Sequence, residues 1–323
     1  MALLLSEADV RSILTMPMAI EAVEEVFRRL AGGEAILQSR QRLNLPDKGF
    51  LHYMAAADVK GGYCGLKIYS SVRGALRFLV PLYRNLTGEL AALIEADYLG
   101  QIRTGAASGV ATRYLAREDS RIAGIIGTGG QARTQLEAVI AVRKLELVRA
   151  FGRDAARRAA FAKEMSASLK VRVEPAASAE EAVRGADIII TATQSSTPVL
   201  LGAWLSKGVH INAIGANFPQ KRELDEDTVR RCDVLVADSR EQSRLEAGDL
   251  IQVMGDDLAR WSQVRELADV VSGKVAGRTN AEQVTLFKSN GVAIEDIAVA
   301  ARVFEYAQEH GIGRPVPLWA DGK

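Results

Sequence analysis

The pattern of apolar and polar residues changes near position 119. Residues 7–31 place apolar side chains at helical spacing and end at Gly32-Gly33, which predicts an opening pair of helices. Residues 36–96 contain short β-like runs, such as CGLKIYSS and LRFLVPLY, that are broken by glycine, proline and turn residues. This texture predicts several antiparallel strands. The segment Leu99–Ala116 is rich in small residues and is predicted to be a helix that a ligand can approach closely.

From residue 119 onward, short apolar runs alternate with helical segments, which is typical of parallel strands buried on both faces. The runs are RIAGIIG, LVRAFG, VRVEPA, ADIIITAT, HINAIGA, DVLVADS and VTLFKS. A long amphipathic helix, Ala293 to His310, follows the last of them. The sequence therefore predicts an α/β fold: a Rossmann-type doubly wound sheet over 119–303, and a second α+β domain over 1–118 that the segment 304–323 rejoins.

Composition narrows the possible functions. The 323 residues are 48% hydrophobic and 25% charged, enough for two cores of ordinary domain size. Lys and Arg number 41 against 40 Asp and Glu, so no net field attracts nucleic acid or a membrane surface. Cys64 and Cys232 show no disulfide or zinc spacing, and we expect no metal. No apolar stretch suits a signal peptide or a bilayer span, so we expect a cytoplasmic protein.

A glycine-rich loop follows the first strand of the second half. The strand RIAGII leads into G-x-G-x-x-A and then into a helix, which is the context of a dinucleotide-binding loop. The first glycine permits a tight turn, the second lets the pyrophosphate approach, and the free N–H groups of the helix attract its charge. The expected loop contacts are Gly127, Thr128, Gly129, Gly130, Gln131 and Ala132. Further contacts expected at the cofactor side are Thr104, Thr191, Ala192, Thr193, Gly215, Lys288 and Ser289.

The end of the second strand bears on the choice between NAD and NADP. This strand ends Phe151-Gly152-Arg153-Asp154, whereas an NAD site usually ends it in an acid. Arg153 stands where a guanidinium can grip a 2′-phosphate, which favours NADP. The alternative is that Arg153 is solvated and that Asp154 only caps the next helix, which leaves NAD open.

Three cations in the first domain stand among apolar or small residues: Arg42, Lys67 and Arg103. A single buried cation usually indicates an ion pair, and a lone lysine in a strand is commonly an edge residue. Three together suggest a cradle for a carboxylate, since arginine binds carboxylates in a forked geometry and lysine can move a proton. Arg73 and Arg77 are expected to be solvated charges, the alternative being contact with a second substrate carboxylate.

Several motifs resemble those of the ornithine cyclodeaminase/mu-crystallin family. They are GLKIYSS, EADYLGQIRTGAASGVATRYLA, GIIGTGGQA, GVHINAIGANFPQKRELD and VTLFKSNGVAIEDIAVA. The resemblance implies that Lys67 and Arg103 are substrate-site residues and that Arg42 is a second carboxylate-binding arginine, with Arg40 as the alternative two residues away. It also implies a homodimer formed through the non-Rossmann, substrate-binding domain.

One position departs from the cyclodeaminases of that family. Their pattern resembles GGDxPGKxEL, with an aspartate implicated in cyclisation, and Asn217 stands in its place. An amide orients an amino group but accepts no proton near neutral pH. We therefore expect NAD(P)H-dependent reduction of a small α-imino acid to the L-amino acid, reversible as an amino-acid dehydrogenase, with a small-molecule substrate as the partner. The alternatives are an ornithine cyclodeaminase and a non-catalytic binding protein similar to mu-crystallin.

Overall fold

The computed structural model describes residues 1–46 and 49–318. Its first elements are β1 (Ala2–Leu5), α1 (Glu7–Ile13), α2 (Met16–Ala31), β2 (Ala35–Leu37), β3 (Gln41–Asn44), β4 (Phe50–Asp58), β5 (Tyr63–Val72), β6 (Ala75–Arg84), β7 (Leu90–Glu95) and α3 (Asp97–Leu115). Next come β8 (Ile122–Ile126), α4 (Gly130–Val142), β9 (Leu147–Phe151), α5 (Ala155–Leu169), β10 (Arg172–Pro175), α6 (Ala179–Val183), β11 (Ile188–Thr191), a 3-10 turn (Gly202–Trp204) and β12 (His210–Ala213). The chain ends with α7 (Glu226–Arg230), β13 (Val234–Ala237), α8 (Arg240–Glu246), α9 (Gly248–Met254), α10 (Leu258–Trp261), β14 (Arg265–Glu266), α11 (Leu267–Val271), β15 (Thr285–Lys288), α12 (Ala293–His310) and β16 (Arg314–Val316).

The chain divides into two compact units. The first is Met1–Arg103 with the described part of Gly291–Lys323, and the second is Thr104–Asn290. These divisions lie inside α3 and just before α12, whereas the sequence placed the borders near 118 and 303. The difference has a physical reason, because Arg103 forms ion pairs with the first turn of α12, while Thr112 bonds to Asn212 on β12. The end of the expected returning segment, residues 319–323, lies outside the described residues.

The first unit is built on a mostly antiparallel sheet. Its strand order is β16-β1-β7-β6-β5-β4-β2, with β3 also paired to β4. Only the pairing of β1 with β7 is parallel within the described sheet, and β16 pairs antiparallel to β1. The sequence did not predict β1, because an isolated short apolar run does not distinguish a strand from a helix and its partners β7 and β16 lie far along the chain.

Helix α12 packs against β4, β5 and β6 of this sheet and against α2. It begins and ends at the predicted residues, Ala293 and His310, and the side chains of its first nine residues are all buried. The close approach depends on Gly65, where an added Cβ would lie 2.9 Å from the Cδ1 of Ile297 and 2.3 Å from the carbonyl of Pro81. Helix α12 thus forms the main cover of the sheet's inner face.

The second unit is a parallel sheet with the strand order β10-β9-β8-β11-β12-β15-β13-β14. Seven of these described strands fall in the runs predicted from the sequence, and only the two-residue β14 was missed. Both faces are buried: Ile188 and Ile190 pack into one apolar core, and Ile189 and Ile211 pack into the other. The predicted Rossmann-type α/β fold is confirmed. Among the described residues, no helix is long and apolar enough to cross a membrane.

Candidate active site

Lys67 is buried in the first unit, on the face of β5 that α12 covers. It is 2% exposed, and its Nζ lies 2.7 Å from Oδ1 of Asp296. Space for the ammonium group comes from Gly100 on α3, where an added Cβ would lie 2.7 Å from Nζ. The glycine in the motif GQIR therefore has a steric role, since any larger residue there would displace the lysine.

Arg103, one turn after Gly100, is held by two carboxylates from the first turn of α12. Its Nε donates to Oδ1 of Asp296 at 3.0 Å, and its Nη1 donates to Oε2 of Glu295 at 2.7 Å. Both acids are fully buried, at a helix N-terminus where negative charge is favoured. Within the described chain, Nη2 of Arg103 has no hydrogen-bond partner, which leaves one edge of the guanidinium available to a ligand.

The two candidate arginines of the β3 region lie in different surroundings. Arg40 is 9% exposed and its Nη2 donates to the carbonyl of Gly291 at 2.9 Å. Arg42 is exposed, and its Nε donates to Nε2 of His52 at 2.7 Å. The structure therefore brings Arg40 to the start of α12, beside the acids that hold Arg103, and places Arg42 two residues further along. Which of the two binds a carboxylate stays a prediction.

His52 links Arg42 to Tyr69 and is neutral. Burial, together with the charges of Arg42 and Arg40, lowers the pKa of His52 to about 3. Because an arginine N–H can only donate, Nε2 of His52 accepts and Nδ1 carries the hydrogen that is donated to Tyr69 Oη at 2.6 Å. Tyr69 stacks on Phe78, so His52, Tyr69 and Phe78 form an aromatic and uncharged part of the cluster.

The buried charged side chains around Lys67 form a cluster in which cations outnumber carboxylates. Three cations (Arg40, Lys67 and Arg103) stand against two carboxylates (Glu295 and Asp296), which leaves one net positive charge among these described residues. Burial and the neighbouring Arg103 lower the pKa of Lys67 to about 8, and Asp296 partly offsets them. Burial also disfavours the charge on Arg103. The carboxylates of Asp296 and Glu295 together have a larger effect than burial, and they raise the pKa of the guanidinium. The cluster is therefore suited to a monoanion and holds a lysine able to exchange its proton near neutral pH.

The glycine loop of the second unit has the geometry of a phosphate site. Gly127 adopts φ +117°, and an added Cβ would lie 2.3 Å from the carbonyl of Ala192. Gly129 is the N-cap of α4 and provides no side-chain cap, while a Cβ built on it would meet no atom within 4 Å. Ala132 is fully buried against β8. Uncapped N–H groups facing open space fit the pyrophosphate of a dinucleotide.

The end of β9 carries the residues that bear on the ribose. Asp154 is the N-cap of α5, and its side chain accepts from the backbone N–H of Arg157 at 2.9 Å. Arg153 is exposed. Arg158 donates to the carbonyl of Gly152 at 2.7 Å and lies over the ring of Phe151. The acid next to the strand is thus engaged as a helix cap, and the remaining charge there is positive.

Glu223 joins the carboxyl ends of β11 and β12. This fully buried carboxylate accepts hydrogen bonds from Thr191 Oγ1 at 2.9 Å, from the Thr193 N–H at 2.6 Å and from the Gly215 N–H at 2.7 Å. Burial raises the pKa of Glu223. Three of the expected cofactor contacts, Thr191, Thr193 and Gly215, are therefore hydrogen-bonded to one internal carboxylate that joins the two strand ends.

Lys288 and Ser289 at the end of β15 are also bound to buried carboxylates. Lys288 is fully buried and forms an ion pair with Asp249 Oδ2 at 2.9 Å, while Asp249 Oδ1 accepts from the backbone N–H of Glu223. Ser289 Oγ donates to Asp238 at 3.2 Å. The ammonium of Lys288 is thus occupied inside the protein.

The remaining predicted residues occupy varied positions. Thr104 is buried, and its carbonyl accepts from Gln135 of α4. Asn217 is half-buried in the loop after β12. Arg73 is exposed with φ 50° in the turn between β5 and β6, and Arg77 is exposed on β6. The two last positions agree with solvated charges.

Sequence reasoning missed the acids of both units: Glu295, Asp296, Glu223, Asp249 and Asp238. Glu295 and Asp296 had a visible signal, since they interrupt the otherwise apolar run GVAIEDIAVA. Such a pair in the middle of an apolar stretch indicates buried charges that need cationic partners. Within the described chain, no group of three or more His, Cys, Asp or Glu side chains is placed to hold a metal ion.

The parallel sheet and the uncapped glycine loop define a dinucleotide-binding domain, and the reductases and dehydrogenases that match this chain identify it as a nicotinamide-dependent oxidoreductase. Comparison with known proteins agrees, because the profile of the ornithine cyclodeaminase/mu-crystallin family matches residues 1–311. The chain belongs to that family. A Delta(1)-pyrroline-2-carboxylate reductase of Bacillus cereus is 35% identical over 323 aligned residues, which cover 97% of this chain and 99% of that protein.

Two solved structures have the same fold over nearly the whole chain. The Delta(1)-pyrroline-2-carboxylate reductase of Thermococcus litoralis, in complex with NADH and L-proline, has a TM-score of 0.93 and 40% identity, covering 97% of this chain and 100% of that one. An archaeal alanine dehydrogenase dimer with bound NAD has a TM-score of 0.89 and 34% identity, covering 98% and 99%. The family resemblance seen in the sequence is confirmed.

Gly100→Ala tests whether the space beside Lys67 matters for turnover. The added methyl group would collide with Nζ, so we expect kcat to fall by about 10- to 100-fold, as a displacement of about 1 Å can cause. The melting temperature should hold or rise, because alanine favours a helix over glycine. Gln101→Ala, the next residue of the same helix, should leave kcat near native. A native kcat in Gly100→Ala would contradict the steric role.

Proposed function

We propose that the protein reduces the C=N bond of a small α-imino acid to the L-amino acid with NAD(P)H, and oxidises that amino acid in reverse. The observation that carries the proposal is a buried lysine of lowered pKa inside a cluster with one net positive charge. The imine of an α-keto acid, such as pyruvate imine or iminosuccinate, and a cyclic ketimine all fit this description. The named relatives, which include imine reductases and an alanine dehydrogenase, support the class.

The side chains divide the work between binding and proton transfer. The free edge of Arg103, with Arg40 or Arg42, binds the substrate carboxylate and holds the imine carbon in place. NAD(P)H, when bound, would supply the hydride for that carbon. Lys67 gives the imine nitrogen its proton.

Because Lys67 must be protonated for reduction, the reductive rate should fall as the pH rises through about 8, and the oxidative rate should rise through the same pH.

Asn217 argues against a cyclodeaminase. The residue is half-buried in the loop that Glu223 anchors, and its amide cannot take a proton from an amino group. An imine reductase consumes NAD(P)H and changes the absorbance at 340 nm, whereas a cyclodeaminase recycles its cofactor with no net change. A binding protein without catalysis is disfavoured because carboxylate storage does not need a lysine that can lose its proton.

We also expect a reducing, cytoplasmic compartment, since Cys64 and Cys232 are unpaired.

Substitution of Lys67 tests the assigned acid. On a panel of α-keto acids with ammonia, and of cyclic imines, Lys67→Ala should lower kcat by about 10²- to 10⁴-fold, the usual scale for loss of a general acid. Lys67→Arg keeps the positive charge but donates no proton near neutral pH, so it should restore substrate binding without restoring the rate. The dissociation constant of the cofactor serves as the control and should not change. Near-native kcat in Lys67→Arg would show that charge alone is sufficient.

For the cofactor, we propose that NADPH is used at least as well as NADH. Asp154 is engaged as a helix cap, and Arg153 is exposed beside it. Arg153→Ala should raise the KM for NADPH several-fold and leave the KM for NADH nearly unchanged, because only the 2′-phosphate loses a partner. Arg184→Ala removes an exposed arginine elsewhere in the same unit and should change neither value. Equal effects of Arg153→Ala on both cofactors would exclude this assignment.

We propose that the protein is a homodimer that pairs through the outer face of the first unit's sheet. Pairing registers place Ile36, Leu43 and Tyr53 on the face opposite Lys67, and they are 57%, 54% and 43% exposed. An exposed apolar sheet face favours association with a second copy.

In sedimentation measurements, Leu43→Lys should shift the protein towards the monomer. Leu86→Lys, at a turn where the leucine is 97% exposed, is the control and should leave the dimer intact.

A further inference from the structure

Asp296 is the point at which Lys67 and Arg103, two of the three buried cations of the site, meet. Its Oδ1 accepts from Lys67 Nζ at 2.7 Å and from Arg103 Nε at 3.0 Å. The residue is fully buried in the first turn of α12. Glu295, next to it, pairs with Arg103. Asp296 is the one carboxylate among the described residues that forms an ion pair with Lys67.

The other groups around Lys67 oppose its charge or leave it unaffected. Arg103 from α3 and Arg40 from the approach to β3 both repel the ammonium group, and burial disfavours any charge there. His52 on β4 is neutral, and the ring of Phe78 on β6 lies 5.5 Å from Nζ. Without the charge of Asp296, burial and two guanidinium groups would favour a neutral Lys67 near pH 7.

We propose that Asp296 is a positioning residue for imine reduction: it keeps Lys67 protonated and holds its ammonium group at a fixed place beside Arg103. The proposal rests on the acid role of Lys67 in the proposed function. In the step itself, one N–H bond of the ammonium breaks and its proton bonds to the imine nitrogen, while the hydride from NAD(P)H adds to the carbon. Lys67 is left neutral, and water returns the proton to Lys67.

A purely structural role explains Asp296 less well. Its Oδ2 is buried and has no hydrogen-bond partner among the described residues. A buried carboxylate oxygen without a donor costs stability, and an ion pair in the interior is often no better than an apolar pair of the same size. The charge that Asp296 gives to Lys67 and Arg103 accounts for a carboxylate at this position.

The decisive variant is Asp296→Asn, which keeps the shape and one acceptor oxygen but removes the charge. We expect the upper limb of the pH profile for reductive kcat to move from about 8 to a pH that is lower by about one or more. At about pH 8.5, above the limbs of both enzymes, the kcat of Asp296→Asn should be lower than the native kcat by about tenfold for each pH unit between the two limbs. Near about pH 6 the two kcat values should be nearly equal. Glu295→Gln, the matched control, removes a charge one residue away, so it should raise the substrate KM and leave the limb in place.

A second measurement makes the result independent of turnover. In protein labelled with 15N-lysine, the Nζ signal of Lys67, assigned by its loss in Lys67→Arg, should titrate at lower pH in Asp296→Asn than in the native protein. If the native enzyme turned over no imine but the titration still moved in this way, the proposed function would fail and the electrostatic role of Asp296 would stand. An unmoved Nζ titration, or a loss of kcat that is equal at every pH, would overturn the proposal.

Asp296→Glu covers the case in which the asparagine variant does not fold. It keeps the charge on a longer side chain, so the pH limb should stay near its native position while kcat falls because Lys67 is displaced. A limb that moved down in Asp296→Glu would show that the charge is not what sets the protonation of Lys67.

Discussion

The first unit depends on the need of buried cations for counter-ions. Lys67 and Arg103 are almost removed from water, and burial of either charge alone would cost several kcal/mol, about the net stability of a domain. Glu295 and Asp296 remove this obstacle because α12 lies over the sheet and delivers both acids from its first turn. The position of the helix, the glycine that makes room for Lys67 and the reactivity of that lysine all follow from this pairing.

The second unit meets a different requirement, since the polar groups at the ends of its strands must be satisfied without side chains that fill the cofactor's space. Glu223 and Asp249 do this as buried carboxylates that accept hydrogen bonds from these groups. The glycine loop, by contrast, leaves its N–H groups uncapped. At this edge of the sheet, the strand ends are hydrogen-bonded to buried carboxylates, whereas the N–H groups of the glycine loop remain available to a phosphate.

The sequence predicted the elements well where the apolar pattern is long. Ala293 to His310 was placed to the residue, and the parallel strands were recognised because both of their faces are buried. The four-residue β1 and the two-residue β14 were missed. The strands recognised in the second unit are also only four or five residues long, but they recur between helical segments, whereas β1 is an isolated run and β14 has only two residues.

The site was predictable only in part. Lys67 and Arg103 stood out as cations among apolar residues, and the structure brings them together through a shared carboxylate. Their acids lie 192 and more positions away in the chain, and pattern reasoning has no means to pair such distant residues. The family resemblance implied Arg42 as the second carboxylate-binding arginine, with Arg40, two residues away, as the alternative. Only three-dimensional packing separates the buried one from the exposed one.

The discontinuity of the first unit has a consequence for the order of events during synthesis. Residues 1–103 emerge from the ribosome long before Glu295 and Asp296, so this segment carries Lys67 and Arg103 without their counter-ions while the whole second unit is being made. The second unit is continuous and can fold as soon as residue 290 has emerged. The segment that bears Lys67 must wait for the helix that starts at Ala293, and a nascent chain interrupted before it would expose the sheet face that α12 covers.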